Sequence, residues 1–162
     1  FIVIPPYGIN YKIFRKVGFF MPSLKTYDLF ISHAWKYGDD YDRLISLLDN
    51  ASNFSYRNYS APEDNPLVNR DGTPVSNKTQ IKDAIKRKIN PVNCVLVISG
   101  MYYNNREWMQ FELDYAKQKN KPIVAIKPRG NVIMPKEITD VADEVVNWNT
   151  DSIVTAIRNN SL

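Results

Sequence analysis

Cysteine, histidine, glycine and long apolar runs are all scarce in this sequence, and each shortage removes a class of protein. The single cysteine, Cys94, excludes an internal disulfide and suits a reducing compartment; set in an apolar run, it reads as a small buried hydrophobe. One histidine, His33, beside that one cysteine is too little for a zinc site of His and Cys ligands, so no metal is expected. Six glycines form neither a dinucleotide-binding fingerprint nor a Walker phosphate loop. A Gly-x-Ser-x-Gly turn for a hydrolase nucleophile is missing, and Ser32 and His33 are chain neighbours. No segment approaches the roughly 18 uninterrupted apolar residues of a membrane span, and the first residues are apolar rather than basic. A cytoplasmic chain with no membrane contact and no secretory signal is therefore expected.

Charge of one sign is also wanting. The formal charge is +4, yet Lys12, Arg15, Lys16 and Lys25 lie in residues 1–26 with no acid among them and account for the whole excess. The rest of the chain is balanced and carries no basic footprint, so nucleic acid is not an expected partner.

What is present is the composition of an ordinary folded protein, 44% hydrophobic and 23% charged, at a length that suits one domain with its own core. Residues 1–26 differ from the rest of the chain, being aromatic, basic and broken by Pro5-Pro6, Gly8, Gly18 and Pro22. They read as an N-terminal extension of a domain spanning 27–162, with Met21 as an alternative natural start and Phe1-Ile2-Val3-Ile4 as an extra strand or a partner contact.

Tyr27–Ser32 reads as a strand apolar enough to be covered on both faces. A helix capped by Asp39 or Asp40 then runs to about Asn50, and Phe54–Tyr59 alternates as a second strand, which makes the two strands a parallel pair. Residues 60–77 form a long polar loop with Pro62, Pro66, Gly72 and Pro74, either a functional lid or a solvated connection. A helix over Lys78–Ile89, capped by Ser76 or Asn77, sets Ile81, Ala84, Ile85 and Ile89 toward the sheet and its Lys and Arg residues toward water. Val92–Ser99 is the most apolar run and hence a central strand. Further strands are expected at Pro122–Ile126 and Glu144–Val146, and a last helix over Thr150–Asn160. Alternation of strand and helix gives a three-layer α/β fold, a mainly parallel five-stranded sheet flanked by helices, with ligands beyond the C-terminal strand ends.

Between the central strand and the next strand lies a helix with an acid on the wrong face. On a helical wheel Trp108, Met109, Phe111, Leu113, Tyr115 and Ala116 share one arc, and Glu112 projects from the middle of it. Asn104 with Glu107 three residues on reads as a capping pair, which gives Glu107 a local task that Glu112 lacks. Glu112 is thus either paired within the structure, set at the lip of a cleft, or reactive.

These segments together resemble a known family. Tyr27-Asp28-Leu29-Phe30-Ile31-Ser32-His33 is similar to the opening box of Toll/interleukin receptor (TIR) domains, and Trp108-Met109-Gln110-Phe111-Glu112-Leu113 to their W-C-x-x-E-L helix box, with Met109 where many members have cysteine. The long loop sits where the TIR BB loop does, and Ser32-His33-Ala34-Trp35 is closer still to the TIR-like domains of bacterial Thoeris antiphage proteins. The resemblance implies a flavodoxin-like fold, NAD+ as substrate rather than a permanently bound cofactor, and cleavage of the nicotinamide–ribose bond to ADP-ribose or a derived signal. It also implies self-association through the loop of residues 60–77. The family's essential glutamate carries over onto Glu112, and its nucleotide pocket onto Phe30, Ser32 and His33, with Trp108 a ring wall. The chemistry is physically coherent: nicotinamide in NAD+ already bears positive charge, so it leaves neutral without a general acid, and one carboxylate in a dry site can stabilise the oxocarbenium-like centre. Ordinary core packing for Trp108 and a loop role for His33 remain open at this point, as do a non-catalytic interaction module and a nucleoside deoxyribosyltransferase for the whole.

Overall fold

Five short strands carry most of the chain's continuous apolar runs, and their pairing orders everything else. The structure, a computed structural model, describes residues 24–34, 39–61, 66–130 and 132–162. The expected extension, its Met21 start and its Phe1–Ile4 strand lie outside the described residues, apart from the extension's last three positions. Strands β1 (Thr26–Ser32), β2 (Ser55–Asn58), β3 (Cys94–Ile98), β4 (Ile123–Ile126) and β5 (Glu144–Val146) form one sheet in the order β2-β1-β3-β4-β5, every pairing parallel. Parallel pairs need crossovers, and helices supply them: α1 (Asp40–Asp49), α2 (Lys78–Ile89), α3 (Arg106–Gln118), the short α4 (Lys136–Thr139), with α5 (Thr150–Asn160) closing the chain. Helix α2 packs with α3, and α1 with α5, so helical layers cover both faces. This is the expected three-layer α/β architecture. No helix among the described residues is long and apolar enough to cross a membrane.

Burial follows strand position. Every residue of β3 and β4 is buried, as central strands of a covered parallel sheet must be, whereas β2 at the edge is only partly covered. Cys94 sits in β3 with no exposure, and burial pushes its thiol up to about 12, which leaves it a packing residue. At the β2 edge Arg57 grips Asp28 with two bonds, Nε to Oδ1 at 2.5 Å and Nη2 to Oδ2 at 2.8 Å, and so fixes the β1–β2 register.

The helix starts differ in part from expectation. Asn77 caps α2, its side chain accepting from the Gln80 amide at 3.0 Å. Asp39 occupies the position before α1 without a side-chain cap bond, and Asp40 instead reaches Arg129 at 2.7 Å. The expected Asn104–Glu107 capping pair does not form. Residues Ser99–Asn105 wind into a 3-10 turn that absorbs Asn104, α3 begins at Arg106, and Glu107 pairs with Lys78 across the helix layer at 2.7 Å. A tighter turn leading straight into a helix leaves no extended residue for a cap.

Candidate active site

Alternation along β1 puts Phe30 and Ser32 on one face, and helical periodicity points Glu112 from α3 toward it. The two elements meet at the C-terminal end of β1, where Ser32 Oγ–H donates to Glu112 Oε2 at 2.6 Å. Glu112 is 8% exposed, and no Lys or Arg pairs with it among the described residues. Burial therefore pushes its carboxyl up from the ordinary 4.5 to about 8, with the Ser32 bond pulling the other way. A carboxyl in that state is predominantly neutral near pH 7 and ionises readily once a cation stands beside it.

His33, the next residue, is also buried. Its Nδ1–H donates to the Ile31 carbonyl at 2.8 Å, and its ring stacks on Tyr41 with centroids 4.1 Å apart. Burial lowers its pKa, against the opposing pull of the Ile31 carbonyl and of Asp42. The imidazole is thus neutral with its lone pair on Nε2.

A cavity of about 390 Å³ opens between β1, α2, α3 and the loop after β2. Phe30, His33, Trp108 and Glu112 all line it, whereas Ser32 is not part of the lining and bonds to Glu112. Sequence reasoning brought these five to one strand edge. It missed the opposite wall: Ile81 and Ile85 of α2, and Ala61, Leu67 and Val75 of the loop. The i,i+4 spacing of Ile81 and Ile85 had assigned them to the sheet interface, where a cavity lining looks the same in sequence. The loop is therefore more than a solvated connection. Asn69 N–H donates to Thr73 O at 2.8 Å and Val68 bridges Pro74 in an antiparallel turn, with Gly72 at φ +84°, and this small hairpin carries Leu67 and Val75 into the wall. Asn104 and Asn105 complete the rim; adjacent carboxamides in a strand-to-helix turn at the ligand edge were the signal for them. The cavity is mostly apolar with a few polar groups, at the lower end of the roughly 300–1,000 Å³ typical of small-molecule sites.

Sheet order, the carboxylate at the strand edge and the loop over it define the class as a TIR-like α/β domain. The family described as "Thoeris protein ThsB, TIR-like domain" matches residues 30–132, and the chain belongs to that family. A Cytobacillus dafuensis protein named "Putative cyclic ADP-D-ribose synthase TIR2" is 24% identical over 128 residues, covering 78% of this chain and 32% of that protein. The chain thus spans about a third of the length of that relative. Among solved structures, the 2-deoxyribosyltransferase of Bacillus psychrosaccharolyticus superposes with a TM-score of 0.56 at 11% identity, over 78% of this chain and 89% of that one. A conserved protein of Enterococcus faecalis V583 gives 0.58 at 9% identity, over 83% and 99% respectively. At such identities these two likenesses bear on the fold alone.

Proposed function

We propose that this domain, residues 27–162, cleaves NAD+ at the nicotinamide–ribose bond and releases ADP-ribose or a cyclic or otherwise derived ADP-ribose signal, in cytoplasmic antiphage defence. Family membership and the cyclase name of the relative support NAD+ processing. The observation that carries the reading is Glu112: a buried carboxyl with Ser32 as its partner, lining an apolar cavity at the ligand edge of the sheet. The substrate's nicotinamide ring is cationic, and the cavity of about 390 Å³ is of small-molecule size. As the glycosidic bond lengthens, positive charge moves onto the ribose, and an ionised Glu112 opposite it stabilises that charge in a medium with little water. Phe30 and Trp108 wall the ring, and Ser32 fixes the carboxylate. Self-association acts through the loop of residues 60–77, because Ala61, Leu67 and Val75 sit in the cavity wall and a neighbour that shifts the loop alters the site.

The test is nicotinamide release from NAD+, followed by chromatography at high protein concentration, for the wild type and Glu112→Gln with circular dichroism as the fold control. Release by wild type and a loss of at least about 100-fold in the variant are expected. Equal release by both refutes the role of Glu112, and no release at any protein concentration favours a non-catalytic interaction module.

A further inference from the structure

Capture of the ribose carbon is a second chemical event, and it needs something that Glu112 does not supply. Water or a sugar hydroxyl attacking that carbon must lose a proton as the new bond forms. Glu112 is committed to the cationic centre, and one of its oxygens already accepts from Ser32. Among the described residues that line the cavity, His33 is the one besides Glu112 that titrates; Asn104 and Asn105 are not bases and the remainder are apolar. Its geometry suits the task. The Nδ1 edge is turned back onto the Ile31 carbonyl at 2.8 Å, which fixes the tautomer and leaves Nε2 as the edge available to the cavity. Stacking on Tyr41 at 4.1 Å holds the ring plane, and Nε2 has no hydrogen-bond partner among the described residues.

We propose that His33 is the catalytic base that takes the proton from the hydroxyl nucleophile capturing the ribose carbon after nicotinamide departs. This rests on the NAD+ reading above. In the first event the C1–N bond breaks and its electron pair passes to the ring nitrogen, which leaves as neutral nicotinamide. In the second, an oxygen lone pair forms the O–C1 bond, the O–H bond breaks, and its proton passes to Nε2 to give an imidazolium that returns it to solvent. Only a nucleophile that carries a proton needs His33. A pyridine such as 3-acetylpyridine attacks through a ring nitrogen with no proton to lose, so base exchange bypasses the step.

The experiment measures both reactions on the full chain: hydroxyl-derived products from NAD+, and 3-acetylpyridine exchange into NAD+. It compares wild type with His33→Asn, whose carboxamide nitrogen can still donate to Ile31, and with His33→Gln, and melting curves report the fold of each. The ratio of hydroxyl products to exchange product is expected to fall on the order of 100-fold in His33→Asn. His33→Gln, which carries an amide near the Nε2 position but no base, is expected to show the same fall. An unchanged ratio in both variants, whether the two reactions drop together or neither drops, overturns the assignment. A wild type that performs neither reaction removes the NAD+ reading itself.

Discussion

The 2.6 Å bond from Ser32 Oγ to Glu112 Oε2 joins the last residue of β1 to the middle of α3 across 80 positions of sequence. Among the described residues it is the one hydrogen bond that favours the ionised form of Glu112 against its burial. Ser32→Ala removes it and leaves a buried carboxyl oxygen without a partner. The Glu112 pKa then rises further, so nicotinamide release at pH 7 is expected to fall at least tenfold and to recover partly at alkaline pH. A variant with lower but equally pH-shaped activity would falsify this coupling.

If Glu112 acts as proposed, the pH dependence of wild-type turnover is expected to derive from the same group. With the carboxyl at about 8 in the free protein, kcat/KM should rise with pH and level off near that value, because the free enzyme's ionisation governs it. Bound substrate places a cation beside the carboxylate and favours its charged form. The inflection in kcat is therefore expected below that in kcat/KM. Steady-state kinetics from pH 6 to 9 reads both, and coincident inflections would separate Glu112 from the cationic centre.

Much of this arrangement is legible in the sequence. β1, β3 and β4 announce themselves as apolar runs, and their crossover spacing leads to the parallel sheet. Glu112 stands out because an acid on an apolar helical arc breaks a local pattern. The cavity's far wall is not legible, since Leu67 and Val75 arrive by a hairpin within a long loop and Ile85 looks like any core-facing residue. The false cap at Asn104 has a similar origin. Its spacing to Glu107 matches a capping pair, but the 3-10 turn takes Asn104 in, and Lys78 on α2 claims Glu107. Local spacing is readable; competition from a distant partner is not.

Because Glu107 pairs with Lys78 at the surface, with side chains 58% and 70% exposed, and does not cap α3, its loss is mild. Glu107→Ala is expected to change unfolding stability by less than about 1 kcal/mol, and by still less at high salt. A loss above that in urea titration would restore a capping role.

Leu113, one position beyond Glu112, has no exposure, whereas Trp108 is half-buried at the cavity wall. Leu113→Ala is expected to cost about 2–5 kcal/mol through the void it leaves beneath α3. Trp108→Ala should destabilise less and act mainly on KM for NAD+, since its half-buried ring packs only against the margin of the core and also lines the cavity. Urea unfolding and steady-state kinetics on the pair decide it: the reverse ranking in stability would make Trp108 an ordinary core residue.

Glu112 also makes folding stability fall with rising pH. Its folded value of about 8 lies above the ordinary 4.5, so the folded protein holds a proton that the unfolded chain has released between those two values. Stability from this group is fully present below about pH 4.5 and is lost as pH rises through about 8. The loss is on the order of 5 kcal/mol. His33 acts in the opposite sense, because burial lowers its pKa and the unfolded chain takes up its proton first as pH falls below the ordinary 6.5. The clean observable is therefore the difference between wild type and Glu112→Gln, in which the His33 contribution cancels. That difference is expected to grow in favour of the glutamine variant from pH 5 to pH 8.5, so the substitution proposed to remove turnover is also expected to stabilise the fold at alkaline pH. Parallel stability curves for the two proteins would mean that Glu112 is as well solvated as a surface glutamate, and would take with it the dry, charge-focusing site on which the proposed chemistry depends.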